Sequence, residues 1–142
     1  IIGYPGETDR DFEETIELMT KIGFINSFSF IFSARPGTPS FKLAKVDNIK
    51  AKKRLVEFQR IAENIKTNYR KKLIKKTTNV LFENKMKNGN RYFGRDEYFN
   101  SVIVESINDL AGKIKKVKIL KANQNTLYGE IISNLDQRSY AA

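Results

Sequence analysis

The sequence predicts two fold classes in one chain, an α/β segment followed by an all-β segment. Two observations predict the first. Residues 1–39 read as strand, loop, helix, strand, loop, and both loops carry Pro-Gly, at Pro5-Gly6 and Pro36-Gly37. That order is a βαβ unit of a parallel sheet. Its two loops fall at the carboxyl ends of the strands, where such sheets and barrels place their ligands. A third observation predicts the all-β segment. After Lys76-Thr77-Thr78 helical periodicity gives way to five short strand-like runs separated by turn residues, the pattern of a small closed barrel. A chain that opens inside a strand, without an initiating Met, is expected to be the end of a larger protein.

Taking the elements in order, Ile1-Ile2-Gly3-Tyr4 is the first strand, ending in the Gly3 to Glu7 turn. Thr8 followed three residues later by Asp11 has the form of a capping box, and Asp9, Asp11, Glu13 and Glu14 crowd the positive end of the helix it opens. Phe12, Ile16, Met19 and Ile22 recur at helical spacing as one apolar stripe, and Gly23 stops the helix. The run 27–33, Ser-Phe-Ser-Phe-Ile-Phe-Ser, alternates strongly, with Phe at every second position. As a barrel strand it would send Phe28, Phe30 and Phe32 outward and Ser29, Ile31 and Ser33 into the interior. Asp47 can cap a second helix reaching about Lys72, with Ile49, Leu55, Phe58, Ile61, Ala62, Ile65 and Tyr69 as its buried stripe. Its length suits a helix that breaks or bridges two domains. The strands expected beyond it are 79–83, 91–93, 101–105, 113–121 and 127–132. Lys87-Asn88-Gly89-Asn90 is a hairpin turn, and Gly94-Arg95 reads as a further turn. Residues 135–142 read as a tail.

Composition narrows the chemistry. The chain has 142 residues, 10 Phe and 6 Tyr, enough for a core, and neither Cys nor His. This segment therefore supplies no thiolate or imidazole metal site, no cysteine nucleophile and no disulfide. No apolar run approaches the about 20 residues needed to span a bilayer, so no membrane association and a cytoplasmic location are expected. The net charge of +10 is uneven. Residues 1–40 carry 3 basic and 6 acidic side chains, residues 41–79 carry 13 and 3, and residues 80–142 carry 10 and 7. The middle third thus accounts for the whole excess. Two readings of that block stand side by side, a polyanionic partner, nucleic acid before membrane, or a solvated helix face.

Ile1-x-Gly3-x-Pro5-Gly6-Glu7-Thr8, an acidic helix and Phe30-Ile31-Phe32-Ser33-x-Arg35-Pro36-Gly37-Thr38-Pro39 resemble the end of the radical S-adenosylmethionine domain of methylthiotransferases. Asn79-Val80-Leu81-Phe82-Glu83, Gly94-Arg95, Val102, Gly112-Lys113, Val117-x-Ile119 and Leu127-x-Gly129-Glu130 resemble the TRAM domain that follows it in that family. The resemblance implies residues 1–70 as the last βαβ part of a radical TIM-like barrel with a basic connecting helix. It implies residues 71–134 as a five-stranded, OB-like TRAM barrel. Arg35 and the basic middle third place the chain nearest the branch that converts isopentenyl-adenosine beside the tRNA anticodon to its 2-methylthio derivative. The alternatives are the branch acting on a ribosomal protein and a non-enzymatic TRAM-type RNA-binding protein. Such transferases use S-adenosylmethionine and two four-iron clusters held by cysteines that this chain lacks. The segment alone is accordingly expected to be inactive and to contribute no catalytic or metal-ligating residue. The resemblance leaves the sulfur donor open, and a monomer is expected.

The resemblance places Gly3 beside the adenine and ribose of S-adenosylmethionine; the alternative is a tight βα turn, and for Glu7 the structural role is the expectation. Arg35 could grip the cofactor carboxylate or an RNA phosphate through its forked donors, or pair with an acidic side chain. For tRNA, the anticodon stem–loop being the implied partner, the expected contacts are Arg91, Arg95, Lys116 and Lys118 of the barrel and Lys52, Lys53 and Arg54 of the basic helix. Basic side chains meet phosphates and aromatic rings stack on unpaired bases. Tyr92 and Phe93 read more as core than as stacking residues, and Tyr98 and Phe99 admit both readings.

Overall fold

A computed structural model describes residues 1–132; the tail expected at 135–142 lies outside the described residues. The chain divides into two compact units, the first Ile1–Lys66 and the second from Thr67 onward. The division falls within a helix, and each unit is built differently.

In the first unit, α1 (Asp9–Ile22) starts as its sequence dictates. The Thr8 hydroxyl accepts from the Asp11 N–H, and the Asp11 carboxylate accepts from the Thr8 N–H at 2.8 Å. Gly23 ends it in the left-handed conformation at φ 72°, donating its N–H to the Met19 carbonyl. Phe12 and Met19 are buried, whereas Ile22 stays 56% exposed. The strands expected on either side of α1 do not form a ladder. They are reduced to one parallel bridge, Ile2 to Ile31, made by the Ile2 N–H to the Phe30 carbonyl and the Phe32 N–H to the Ile2 carbonyl, 2.8 Å each. A complete βαβ unit is thus not present. Within this unit no further strand pairs with the bridge, so the alternation of residues 27–33 is only partly buried, Phe32 packing edge-on against Tyr4 at 5.0 Å. Phe28 and Phe30 are 88% and 65% exposed.

A 3₁₀ turn, Pro39–Lys42, precedes α2 (Asn48–Lys71), whose first turn is capped by Asp47 accepting from the Lys50 N–H at 2.9 Å. The expected stripe of α2 is corrected at its start. Ile49 is 66% exposed, and the buried positions there are Ala51 and Arg54. Periodicity reads Arg54 as polar and therefore outward, but two carboxylates draw it in.

The second unit is a closed barrel. Its strands are β1 (Thr77–Lys85), β2 (Arg91–Asp96), β3 (Ser101–Glu105), β4 (Ile114–Ala122) and β5 (Leu127–Ile131), in the order β1-β2-β3-β5-β4. Neighbours are antiparallel except β3 with β5, which run parallel. Inward residues alternate with outward ones, as strand geometry requires, and Val80, Phe82, Val102, Val104, Val117, Ile119 and Leu127 fill the interior. The Tyr92 ring joins them, and its hydroxyl, desolvated and beside Asp109, is pushed up in pKa.

The turn expected at Gly94-Arg95 is instead the interior of β2. A Cβ on Gly94 would lie 2.4 Å from the Leu81 carbonyl oxygen, and one on Gly129 would lie 2.5 Å from that of Lys118. Both glycines sit where a neighbouring backbone comes too close for a side chain.

Candidate nucleic-acid interface

The strand pattern places the basic residues of the barrel on its outer surface. Along β2 the outward positions are Arg91, Phe93 and Arg95, with Tyr92, Gly94 and Asp96 buried between them. Along β4 the outward positions Lys116 and Lys118 flank buried Val117. Strand β1 joins the two sets. Leu81 is the cross-strand partner of both Arg95 and Ile114, and Asn79 is the partner of Lys116. With strands about 4.8 Å apart and residues about 3.4 Å apart along a strand, Arg95 and Lys116 stand about 12 Å from each other.

These side chains differ in how firmly they are held. Arg95 donates from Nε to Glu83 at 2.9 Å, both partners remaining about two-fifths exposed, and its guanidinium lies 5.5 Å from the centre of the Phe93 ring. An exposed pair of this kind contributes at most about 1 kcal/mol, so a phosphate can displace the carboxylate. Lys116 and Lys118 are exposed and form no ion pair among the described residues. Arg91 is half-buried. It donates from Nε to the Asn88 carbonyl at 3.3 Å and borders a cleft of about 460 Å³ with Lys85, Lys87 and Phe93. From that cleft to the far end of β2 the outer surface runs for about 20 Å. Sequence reasoning passed over Lys85 and Lys87, beside the turn, and Lys115. The last has inward parity opposite Val80 but is exposed.

In the first unit the expected sites separate. Lys52 and Lys53 are exposed on α2. Arg54 is not: only 5% of its side chain is exposed, and it is withdrawn from the proposed RNA contacts. Its Nη1 pairs with Glu7, its Nη2 with Asp9 at 2.7 Å, and its guanidinium covers the Phe12 ring at 5.6 Å. Burial would lower its pKa, but the hydrogen bonds to Asp9 and Glu7 outweigh that and hold it charged. Asp9 is held below its usual pKa by Lys50 first and Arg54 second.

The same network explains Gly3. The Glu7 carboxylate that binds Arg54 also accepts the Gly3 N–H at 2.9 Å. Gly3 has φ 77°, and a Cβ there would meet the Ala51 Cβ at 2.9 Å. Close packing on α2 and a left-handed backbone therefore account for glycine at this position. Gly3 also borders a cavity of about 310 Å³ with Ser33, Lys45 and Asn48. The Arg35 side chain is exposed and has no partner among the described residues, while its carbonyl accepts from the Thr38 N–H and hydroxyl.

No group of three His, Cys, Asp or Glu among the described residues could hold a metal ion. The chain has no cysteine with which to bind an iron–sulfur cluster, and such clusters do not fit its residues. No described helix is long and apolar enough to cross a membrane.

Residues 71–132 match the family model of the TRAM domain. Over 131 residues, 92% of this chain, the sequence is 48% identical to the tRNA-2-methylthio-N(6)-dimethylallyladenosine synthase of Pelagibacter ubique, of which the match covers 29%. The synthases of that name from Vesicomyosocius okutanii and Ehrlichia ruminantium are 39% and 40% identical, each over 95% of this chain and 31% of their own length. The chain spans less than a third of these relatives. Its second unit thus belongs to the TRAM domain family, and the chain as a whole is homologous, over about nine-tenths of its length, to tRNA-2-methylthio-N(6)-dimethylallyladenosine synthases.

Proposed function

We propose that this chain is the RNA-gripping part of a tRNA methylthiotransferase acting on isopentenyl-adenosine beside the anticodon, a cytoplasmic enzyme that works as a monomer. The single observation that carries the reading is the outward array of Arg91, Arg95, Lys116 and Lys118 on a TRAM barrel, in a chain homologous to enzymes of that name. The radical chemistry, S-adenosylmethionine and the iron–sulfur clusters belong to the whole transferase. In this chain Gly3 and Arg35 are the residues proposed to lie near the cofactor. The residues here bind and orient: exposed cations replace the counterions of the phosphate backbone, and Phe93, with Arg95 over it, offers a planar edge between them.

The test is tRNA binding by the full chain against salt. Replacing Arg95, Lys116 and Lys118 together by Ala removes three exposed cations and leaves the barrel interior intact. Each lost phosphate contact should reduce the slope of log affinity against log salt by about 0.7–0.9. A folded triple variant with unchanged affinity and slope would place the RNA-binding face elsewhere.

A further inference from the structure

We infer that the tip of the β2–β3 hairpin, Tyr98-Phe99, is a stacking site for an unpaired RNA base. The inference rests on the RNA-binding reading above and deepens it. Both rings stand in solvent, Tyr98 at 63% and Phe99 at 74% exposure. The backbone beneath them is fixed from inside. Buried Asp96 accepts the N–H groups of Tyr98 at 2.9 Å and Asn100 at 2.8 Å through Oδ1, and the side-chain amide of buried Asn100 at 2.9 Å through Oδ2. The Phe99 N–H closes the turn onto the Asp96 carbonyl at 3.0 Å. Rings displayed on a pinned turn lose little freedom when a flat ligand settles on them.

The residue chosen at the third loop position makes the same point. Phe99 has φ 60°, the left-handed conformation that closes a three-residue hairpin loop and that glycine or asparagine fills without strain. A bulky ring there is costly, and 74% exposed it gains almost no burial in return. Strain at an exposed aromatic is a reason to look for a ligand.

Charge selects which ligand. Arg95 precedes the tip on the same strand, and Glu97 at the tip is held at 2.9 Å by Asn79, the cross-strand neighbour of Lys116. Two open rings at the end of a cationic strip suit a planar group carried on a polyanion, which is an unpaired nucleotide. A base inside a duplex has no free face to offer.

The experiment uses the full chain with a stem–loop RNA carrying 2-aminopurine in its loop and a duplex of equal length. Binding should change the 2-aminopurine fluorescence, and the stem–loop should bind more tightly than the duplex. The double variant Tyr98→Ala, Phe99→Ala should bind the stem–loop about tenfold more weakly or worse. Its salt slope should stay that of the parent chain, because no phosphate contact is removed. Phe99→Gly removes one ring while supplying the residue the turn prefers. It should unfold at the same or a higher temperature and still lose affinity, which separates stacking from folding. Unchanged affinity in a chain that binds the stem–loop overturns the stacking site alone. Weakened affinity with a reduced salt slope overturns it too, assigning the effect to the basic face. A parent chain that binds neither RNA overturns the RNA-binding reading and this inference with it.

Discussion

The two units solve the same problem, pairing backbone and burying apolar area, with opposite success. Each barrel strand has a partner on both sides, and seven side chains in the interior are essentially sealed from water. The first unit has one parallel bridge, two inter-segment hydrogen bonds across it, and Leu18, Ile22, Phe24, Phe28 and Phe30 all substantially exposed. What it has instead is a charged lock, in which Arg54 ties Glu7 of the first loop and Asp9 at the start of α1 to α2. The difference teaches that a closed sheet is stabilised by its own topology, whereas an open strand–helix–strand segment depends on a few specific polar contacts.

The largest test of that contrast is separation. The piece beginning at Thr67 should unfold in a single cooperative thermal transition, and residues 1–66 alone should show none and should aggregate through their exposed apolar face. A cooperative transition in the first piece would break the comparison.

Next in size is the lock itself. Arg54→Ala strands the Glu7 carboxylate, 13% exposed, without its cation, and breaking such a pair typically costs about 3 kcal/mol or more. In the full chain, amide exchange at Ile2, Gly3 and Phe32 should accelerate while exchange in the barrel strands is unaffected. Equal acceleration in both units would mean that they do not differ in what holds them.

Gly94→Ala probes the barrel. The added methyl meets the Leu81 carbonyl and the Val80 side chain, and a cost of about 2 kcal/mol is expected, the usual scale for forcing an atom into a filled interior. The midpoint of the barrel transition should fall by several degrees, about the shift such a cost produces in a domain this small. A variant as stable as the parent would show that β1 and β2 are not fixed in this register.

The smallest effect is that of pH. Asp9, lowered by Lys50 and Arg54, and Asp11, lowered by Thr8, have folded pKa values below 3.8. Their contribution is present above that value and is lost as pH falls through the lower folded values. Tyr92 has the opposite sign: raised by burial and by Asp109, it stabilises the barrel below about pH 10, and that contribution fades as pH rises further. Acid should therefore loosen the first unit and alkali the second, as read by amide exchange and near-ultraviolet circular dichroism.

Local sequence determined whatever depends on a few adjacent residues. Thr8 and Asp11 specify the start of α1 and Gly23 its end, because cap hydrogen bonds close within four residues. The five barrel strands and the turn around Gly89 are legible because period-two alternation and a glycine at positive φ need no distant partner. The basic outer positions Lys116 and Lys118 of β4 follow from the same alternation, whereas Arg95 reads as part of a turn. Tertiary structure alone decided the rest. Gly94 reads as a turn until the β1 backbone is brought against it. Residues 27–33 alternate as a strand does, yet pair only at Ile31, since a ladder exists only where a second strand lies alongside. Arg54 reads as one cation among many, and only the meeting of the first loop and the start of α1 with α2 gives it two carboxylates that make its burial favourable. Tyr98 and Phe99 admitted two readings because their exposure depends on how Asp96 and Asn100, four residues apart, turn inward together.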